Sequence, residues 1–303
     1  MRKEISLFAS AAIFAALPLT AADKPKPPQT PSDIIAAAPA SDWTAIAPSD
    51  LLVMDLAPDA KGKTRRAIIQ LMPAPFSQGW IGNIRKLAAA HWWDGTAIVR
   101  VQDNYVTQWG DPTEKKELPA NLVEVPESAY STPAVKLVKS SSADFYARQT
   151  GYYNGWPIAG TSKQQWPLHC YAAVGVGRNL SPNTGTGAEL YTVIGHAPRQ
   201  LDRNIAIVGR VIEGMENLSS LPRGTGTLGF YEKEEERVPI LSVRLASELP
   251  AAEQPRFEYL STGSKSFADY AYRRANRKDD FYNIPAGGAD ICNIPVPIRR
   301  KAK

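Results

Sequence analysis

The chain has 303 residues, of which 44% are hydrophobic and 21% are charged. This composition is typical of a globular protein and excludes a mostly disordered chain, a coiled coil and a multi-pass membrane protein. The net charge of +5 is mild and the basic residues are scattered apart from a cluster near the C-terminus, so composition alone predicts no nucleic-acid binding. The 25 prolines favour short strands and loops over long helices.

The first 22 residues have the pattern of a secretory signal peptide. Arg2 and Lys3 precede an uncharged apolar stretch, which ends in small residues suited to cleavage near Ala22. We therefore expect a periplasmic or secreted mature protein with no stable membrane insertion after signal removal. Pro18 interrupts the apolar stretch, so an uncleaved membrane anchor is the less favoured alternative.

Residues 23–48 are rich in Pro and Ala, which predicts an extended tether. Export implies an oxidising compartment in which Cys170 and Cys292 are able to form a disulfide. Because Cys170 lies in an apolar stretch, two buried free thiols are equally reasonable, and both outcomes stay open. The two cysteines and three histidines lack metal-ligand spacing, so we expect no metal and no cofactor.

Short apolar segments separated by turn residues predict a mainly β protein, either a barrel or a sandwich. A helix is predicted after Ser77, where apolar residues recur at helical spacing, and another around 266–276. Residues 112–168 are polar and rich in Pro, Gly and Ser, with one short helical candidate at 143–148. The predicted strands are 51–56, 67–71, 97–101, 105–109, 171–176, 190–194, 205–211 and 239–245.

Two ordered blocks of sequence carry motifs. The first reads W-D-G-T-A-I-V-R-V and continues, after three residues, to Y-V-T-Q-W-G-D at 105–111. The second begins at His169, passes through V-G-R, P-N-T, E-L-Y and L-D, and ends with G-R-V-I-E-G-M at 209–215. Over about residues 65–245 these blocks resemble the cyclophilins, whose motifs include Y-D-G-T-x-F-H-R-V-x-x-x-F-M-x-Q-G-G-D and F-G-R-V-x-x-G-M.

The resemblance implies an exported, divergent cyclophilin-type peptidyl-prolyl cis-trans isomerase. The family fold is a closed eight-stranded antiparallel β-barrel with two capping helices, expected here at residues 49–245 with an insertion at about 112–168. The C-terminal extension, 246–303, is too apolar for a free tail, so we expect it to fold back on the barrel. The residues that support this expectation are Phe257, Tyr259, Leu260, Phe267, Tyr270 and Phe281. The implied partners are proline-containing polypeptides, with a role in folding exported proteins, and no oligomeric state follows.

The resemblance also assigns site residues. Arg100 matches the catalytic arginine of the family, whose charged guanidinium donates to the prolyl nitrogen of a twisted amide. Gln108 matches the glutamine that binds the substrate backbone and steadies the arginine, and Glu189 replaces a second family glutamine. The family positions that line the proline pocket correspond to Tyr105, Val106, Tyr191, Leu201 and Ile205.

Glu189 leaves two interpretations open. A carboxylate near Arg100 either draws the guanidinium away from the prolyl nitrogen or orients it. In the first case, the protein is a non-catalytic peptide-binding chaperone or scaffold of the cell envelope on the same fold. Gln200, Ile205 and Val176 replace a tryptophan, a histidine and a methionine of the family, so we expect cyclosporin-type ligands to bind poorly.

Two other functions are less favoured. A hydrolase with His169 or His196 as its base lacks a G-x-S-x-G motif, and nothing in the sequence orients a triad. Basic residues near the C-terminus are more typical of a solvated surface than of a polyanion site.

Overall fold

In a computed structural model, the protein is described over residues 29–140, 142–279 and 281–301. The predicted signal peptide and the first part of the predicted tether lie outside these residues. The α-helices are α1 (Pro31–Ala37), α2 (Gln78–Ala89), α3 (Glu216–Ser219) and α4 (Lys265–Ala275). Within the described ranges, no helix is long and apolar enough to cross a membrane.

The strands fall into three sheets. They are β1 (Trp43–Ala45), β2 (Leu51–Leu56), β3 (Arg65–Leu71), β4 (Ala97–Val101), β5 (Val106–Gly110), β6 (Thr132–Pro133), β7 (Val138–Lys139), β8 (Gln149–Tyr153), β9 (Trp156–Gly160), β10 (Gln164–Pro167), β11 (Ala173–Val176), β12 (Leu190–Val193), β13 (Ile207–Glu213), β14 (Val238–Leu245), β15 (Phe257–Leu260) and β16 (Ile298–Arg300).

Eight strands form a closed antiparallel barrel in the order β11-β12-β5-β4-β14-β2-β3-β13. Each of them corresponds to one strand predicted from the sequence, with bounds that differ by at most two residues. Side chains alternate between the two faces of a strand, so each strand sends one set of apolar residues into the barrel. The expected closed eight-stranded barrel is confirmed. Its buried core includes Leu52, Met54, Ala67, Ile69, Leu71, Ile98, Val101, Val106, Trp109, Val174 and Val211.

Helix α2 packs on this core as its apolar spacing predicts. Trp80 is fully buried, and its indole N–H donates to the carbonyl oxygens of Thr184 and Gly185 at 3.2 and 3.1 Å. Asn83 is also fully buried, and its side chain exchanges hydrogen bonds with the backbone of Val123. These contacts tie the helix to two loops. The second capping helix, α3, is a single turn.

The insertion folds into a five-stranded sheet in the order β6-β10-β9-β8-β7, and the prediction of a helix at 143–148 is wrong. The carboxylate of Asp144 accepts hydrogen bonds from the backbone N–H groups of Tyr146 and Ala147, both at 2.9 Å. This local turn competes with helical hydrogen bonds. The same carboxylate also pairs with buried Arg199 at 2.9 Å, which holds the segment in its turn conformation.

The prediction of an extended tether is wrong for residues 31–45. Thr30 caps helix α1 in a capping box with Asp33, and Pro31 occupies the first turn, where it is compatible with a helix. Helix α1 packs against α4, and β1 pairs with β15. The Pro and Ala content that favoured a tether is equally compatible with a short capped helix, in which Pro31 is buried and Ile34 and Ile35 are partly buried.

The C-terminal extension folds back, as expected, and shares a second apolar core with the insertion and the N-terminal segment. Strand β15 lies between β1 and β16 in a three-stranded sheet, and Arg300 pairs with Glu213 of the barrel. Phe281 is an exception to the expected burial, because it remains exposed. The second core includes Trp43, Tyr152, Ala159, Trp166, Leu168, Leu260, Phe267, Tyr270, Ile291, Ile294 and Val296.

A disulfide joins Cys170, just before β11, to Cys292, which follows α4. Of the two outcomes left open by the sequence, the structure therefore has the bridge. It attaches the C-terminal extension covalently to the segment that leads into the barrel. The segment between the two cysteines contains the last four barrel strands as well as α4.

We expect replacement of both cysteines by serine to destabilise the C-terminal extension more than the barrel. The bond spans 122 positions, and closing such a loop contributes roughly 4–5 kcal/mol to the free energy of unfolding in the chain-entropy model. The variant should unfold at lower urea concentration than the oxidised wild type, and trypsin should cleave it first after α4. Mass spectrometry of the digest identifies the site. Equal urea midpoints and equal cleavage rates would contradict this expectation.

Candidate active site

Arg100 lies on β4, opposite Gln108 on β5, and its half-buried guanidinium is held by three acceptors. Its Nε donates to the carbonyl oxygen of Leu228 at 2.7 Å, its Nη1 to Oε1 of Gln108 at 3.0 Å, and its Nη2 to Oε1 of Gln102. A guanidinium has five N–H groups, so one remains on each Nη. The group is therefore fixed in position and still able to donate.

Two aromatic rings flank the same guanidinium. The ring centroids of Tyr105 and Phe230 lie 5.5 and 5.2 Å from Cζ of Arg100, within the range of cation–π attraction. Burial lowers the pKa of Arg100, while the fields of Tyr105 and Glu189 oppose that change. The rings restrict the guanidinium further without neutralising its charge.

Glu189 contacts the arginine only through Gln108. The Gln108 amide nitrogen donates to Oε1 of Glu189 at 2.8 Å. Because a carboxylate only accepts, this bond turns the amide so that its carbonyl oxygen faces Arg100. Among the described residues, no carboxylate forms an ion pair with Arg100. Of the two effects considered for Glu189, this geometry favours orientation of the guanidinium.

The Glu189 carboxyl has a perturbed pKa. Burial raises the pKa, the hydrogen bond from Gln108 lowers it, and Glu114 raises it further, with a net shift upward. The charged form of Glu189 is therefore disfavoured in the folded protein relative to the unfolded chain.

A cleft of about 110 Å³ opens beside Arg100. Five of the predicted binding residues line it, whereas Leu201 and Glu189 do not. Leu201 ends a short turn, where its carbonyl oxygen accepts from the N–H of Ile205 at 3.2 Å. Most of the lining is apolar or aromatic and suits a pyrrolidine ring. The residues that line the cleft are Arg100, Tyr105, Val106, Gln108, Val176, Gly177, Arg178, Tyr191 and Ile205.

Behind the cleft, a buried chain of polar groups starts at Tyr191. The hydroxyl of Tyr191 lies 2.8 Å from Nε2 of His169, and Nδ1 of His169 lies 2.9 Å from Asp202. Asp202 accepts from Arg199 at 2.6 Å, and Arg199 reaches Asp144 of the insertion. Burial raises the pKa of Tyr191, so its hydroxyl keeps its proton. This series of polar contacts connects Tyr191, which forms one wall of the cleft, to the insertion.

The same geometry disfavours the hydrolase alternative. His169 has no exposed surface, and its ring nitrogens face Tyr191 and Asp202 instead of a serine. His196 is exposed and lies outside this buried chain. In the part of the chain that the structure describes, no group of three or more His, Cys, Asp or Glu is arranged to bind a metal.

Sequence reasoning missed the residues that hold Arg100 from the other side. Gln102 follows Arg100 by two positions, and this spacing places both on one face of a strand, so the sequence carried a signal for it. Leu228 and Phe230 belong to the segment 222–231, which is anchored by Tyr231 N–H to the carbonyl oxygen of Val99 at 2.9 Å. Its glycines predict tight turns, but no local pattern places it against Arg100.

One glycine of the 222–231 segment is required by close approach. Gly229 has a φ of +79°, and a Cβ there would lie 2.7 Å from Cα of Gln102. The missing side chain lets this segment lie directly against the end of β4. The backbone carbonyl of neighbouring Leu228 thereby reaches Nε of Arg100.

Comparison with known families identifies this arrangement. The family model described as cyclophilin type peptidyl-prolyl cis-trans isomerase/CLD matches residues 74–245. The chain belongs to this family. The match covers more than half of the chain and includes Arg100 and every residue of the cleft. The protein is thus an enzyme of the cyclophilin type, with peptidyl-prolyl isomerisation as its reaction.

Solved structures show how far this cyclophilin shares its fold. The crystal structure of cyclophilin AquaCyp293 from Hirschia baltica matches with a TM-score of 0.67 and 21% identity, over 90% of this chain and 98% of that chain. The shared fold therefore extends beyond the barrel. A cyclophilin type peptidyl-prolyl cis-trans isomerase from Cryptosporidium parvum matches with a TM-score of 0.40 and 15% identity, over 65% and 96% of the two chains.

A second structure of the Cryptosporidium parvum enzyme was determined in the presence of the dipeptide Ala-Pro. It matches with a TM-score of 0.39 and 13% identity, over 64% of this chain and 98% of that chain. A search of curated proteins found no match.

Glu189→Ala should lower kcat/KM for an X-Pro peptide about fivefold, because a hydrogen bond of about 1 kcal/mol that orients Gln108 is lost. Glu189→Gln keeps an acceptor for Gln108 and should retain nearly the wild-type value. Peptide isomerisation rates of the three proteins measure both effects. A rise in activity in both variants would instead show that the carboxylate silences Arg100.

Glu189→Gln should also change the pH dependence of stability. With its folded pKa raised, the wild-type carboxyl supports folding most at acidic pH and loses that contribution as pH rises through the folded pKa. The variant does not titrate there. Its thermal midpoint should therefore exceed that of the wild type more at neutral pH than at acidic pH. An equal difference at both pH values would contradict the raised pKa.

Proposed function

We propose that Arg100 is the catalytic residue of this isomerase and acts on the twisted X-Pro amide. Rotation about a peptide bond meets a barrier of about 18–20 kcal/mol because conjugation is lost. In the twisted state, the prolyl nitrogen becomes pyramidal and its lone pair can accept a hydrogen bond. A donor fixed at that position stabilises the twisted state more than the planar state, which lowers the barrier.

The observation that carries this proposal is the fixation of Arg100 at the edge of a cleft that has one apolar wall. Its guanidinium is bound by Leu228, Gln108 and Gln102 and retains N–H groups for a substrate. Because the donor is already oriented, little reorganisation is needed when charge develops on the prolyl nitrogen. No covalent intermediate is required.

The cleft provides the second requirement, a place for the proline ring. Tyr105, Val106, Tyr191 and Ile205 form an apolar wall beside the guanidinium. A pyrrolidine ring held there leaves the preceding peptide group free to rotate. Gln108 lies next to Arg100 and has the donor and acceptor needed to bind the substrate backbone. The apolar wall for the proline ring and the guanidinium that donates to the prolyl nitrogen thus lie side by side.

We infer that the substrates are exported polypeptides that fold in an oxidising compartment. The basic, apolar and small-residue order of the first 22 residues supports this inference. The bond between Cys170 and Cys292 supports it as well, because disulfides persist mainly in oxidising compartments. A general role in folding follows from recognition of a proline ring and a backbone.

Arg100→Ala should lower kcat/KM for a short X-Pro peptide by about 10²- to 10³-fold, the usual effect of losing one preorganised donor. The matched control is Arg66→Ala, since Arg66 lies on β3 in an exposed ion pair with Asp55. The control should retain the wild-type rate. Exchange between cis and trans peptide, measured by NMR, gives the rates without a coupled protease.

The same NMR measurement, made with increasing protein concentration, separates catalysis from binding alone. If the wild type binds the peptide without accelerating exchange, the protein is a binding module and the catalytic role of Arg100 is wrong. If Arg100→Ala retains the wild-type rate, another group must stabilise the twisted amide.

Expression of the full chain in a Gram-negative bacterium tests export. We expect the protein in the periplasmic fraction, with an N-terminus near Asp23 by mass spectrometry and no free thiols. A chain that starts at residue 23 is the control and should remain in the cytoplasm. Full-length protein with an intact N-terminus in the cytoplasmic fraction would overturn the proposed location.

A further inference from the structure

A cavity of about 360 Å³ lies outside the barrel, against β11 and β13. Its volume falls within the roughly 300–1,000 Å³ typical of small-molecule pockets and exceeds that of the active-site cleft. The insertion and the C-terminal extension close it from the other side, and the Cys170–Cys292 bond forms part of the wall. The wall is mainly apolar and includes Met72, Pro157, Leu168, Ile212, Ile294 and Val296.

One charged side chain, Arg210, lies in this apolar wall. Arg210 is on β13, opposite Gln70 of β3, and both its Nε and its Nη2 donate to Oε1 of Gln70, at 2.9 and 2.7 Å. Its Nη1 donates to the carbonyl oxygen of Gly155 at 2.8 Å. The ring of Trp156 lies 4.2 Å from Cζ. The guanidinium is thus held rigidly by neutral groups.

Arg210 has no negative partner. Among the described residues, no carboxylate lies within ion-pair distance of it, whereas buried Arg199 pairs with both Asp144 and Asp202. Burial lowers the pKa of Arg210 to about 9, so the group is still charged at neutral pH. Arg210 is partly buried, and a charge that is removed from water without a counter-ion is costly for the folded state. A cavity beside such a charge therefore favours an anion.

The wall of the cavity also has hydrogen-bond donors that lack acceptors. Three of the five N–H groups of Arg210 have acceptors, which leaves two without one. The buried indole N–H of Trp156 has no acceptor within the described residues either. The wall thus has spare donors next to a single positive charge, surrounded by apolar surface.

We propose that this cavity binds a small amphipathic carboxylate, of the chemical class of medium-chain fatty acids. The carboxylate accepts hydrogen bonds from the two unused N–H groups of Arg210 and neutralises its charge. The hydrocarbon chain lies along the apolar wall. A monoanion matches the single charge, whereas a phosphate group with two charges leaves one uncompensated. Gln70 and Gly155 already hold the guanidinium, so binding requires little rearrangement. The site is separate from the isomerase cleft.

Calorimetric titration with decanoate tests the proposal on the oxidised wild-type protein. Decanol has the same chain without the charge, and propionate has the charge with almost no chain. We expect decanoate to bind at least tenfold more tightly than either and to raise the thermal midpoint. This comparison of three ligands needs no variant, so it stands even where a substitution disturbs folding. Equal affinities for decanoate and decanol, or no binding of decanoate, would overturn the proposal.

Two variants locate the bound decanoate. Arg210→Gln should weaken decanoate binding at least tenfold and leave peptide isomerisation unchanged, while Arg210→Lys should retain most of the affinity. Arg100→Ala serves as the matched control, because Arg100 is the arginine of the other cleft, and it should bind decanoate as the wild type does. Loss of binding in Arg100→Ala with retention in Arg210→Gln would place decanoate in the isomerase cleft and refute the second site.

Discussion

The pairing register of β4 with β5, and of β5 with β12, is the constraint on which the candidate active site depends. Barrel closure places Arg100 opposite Gln108 and Gln108 opposite Tyr191. The side chains of Arg100, Gln108 and Tyr191, which we propose act on a proline, therefore lie side by side, although Tyr191 is far from the other two along the chain. A shift of one residue in any of these pairings would turn the side chains to the other face of the sheet. The apolar core that fixes the register thus also fixes the chemistry.

Three arginines show how the surroundings determine the role of a buried or partly buried cation. Arg199 lies between two carboxylates, so its charge is satisfied and it joins the insertion to the cleft wall. Arg100 is bound by neutral acceptors and keeps N–H groups that are able to donate further hydrogen bonds. Arg210 has neutral acceptors as well, but it faces an apolar cavity. A charge that the protein leaves uncompensated marks a place where a ligand can compensate it.

The segments added to the barrel build a second structural unit of their own. The N-terminal helix, the insertion sheet and the C-terminal extension share one apolar core, so each of them buries apolar side chains against the others. The Asn154-Gly155 turn between β8 and β9 has positive φ at both residues and brings Gly155 against the ring of Tyr259. Through this contact, a hairpin tip of the insertion meets the extension and supports Arg210 from outside.

The sequence by itself determined the eight barrel strands and helix α2, and it pointed to Arg100 and most of the residues that line the cleft. Alternation, helical spacing and the two ordered motifs that carried these predictions are local properties of the chain. Only the tertiary structure decided that Asp144 breaks a helical pattern to pair with Arg199, and that residues 31–45 are packed. It also decided the pairing of Cys170 with Cys292 and brought Leu228 to Arg100. These outcomes depend on contacts between residues far apart in sequence, whose free energies no local pattern records.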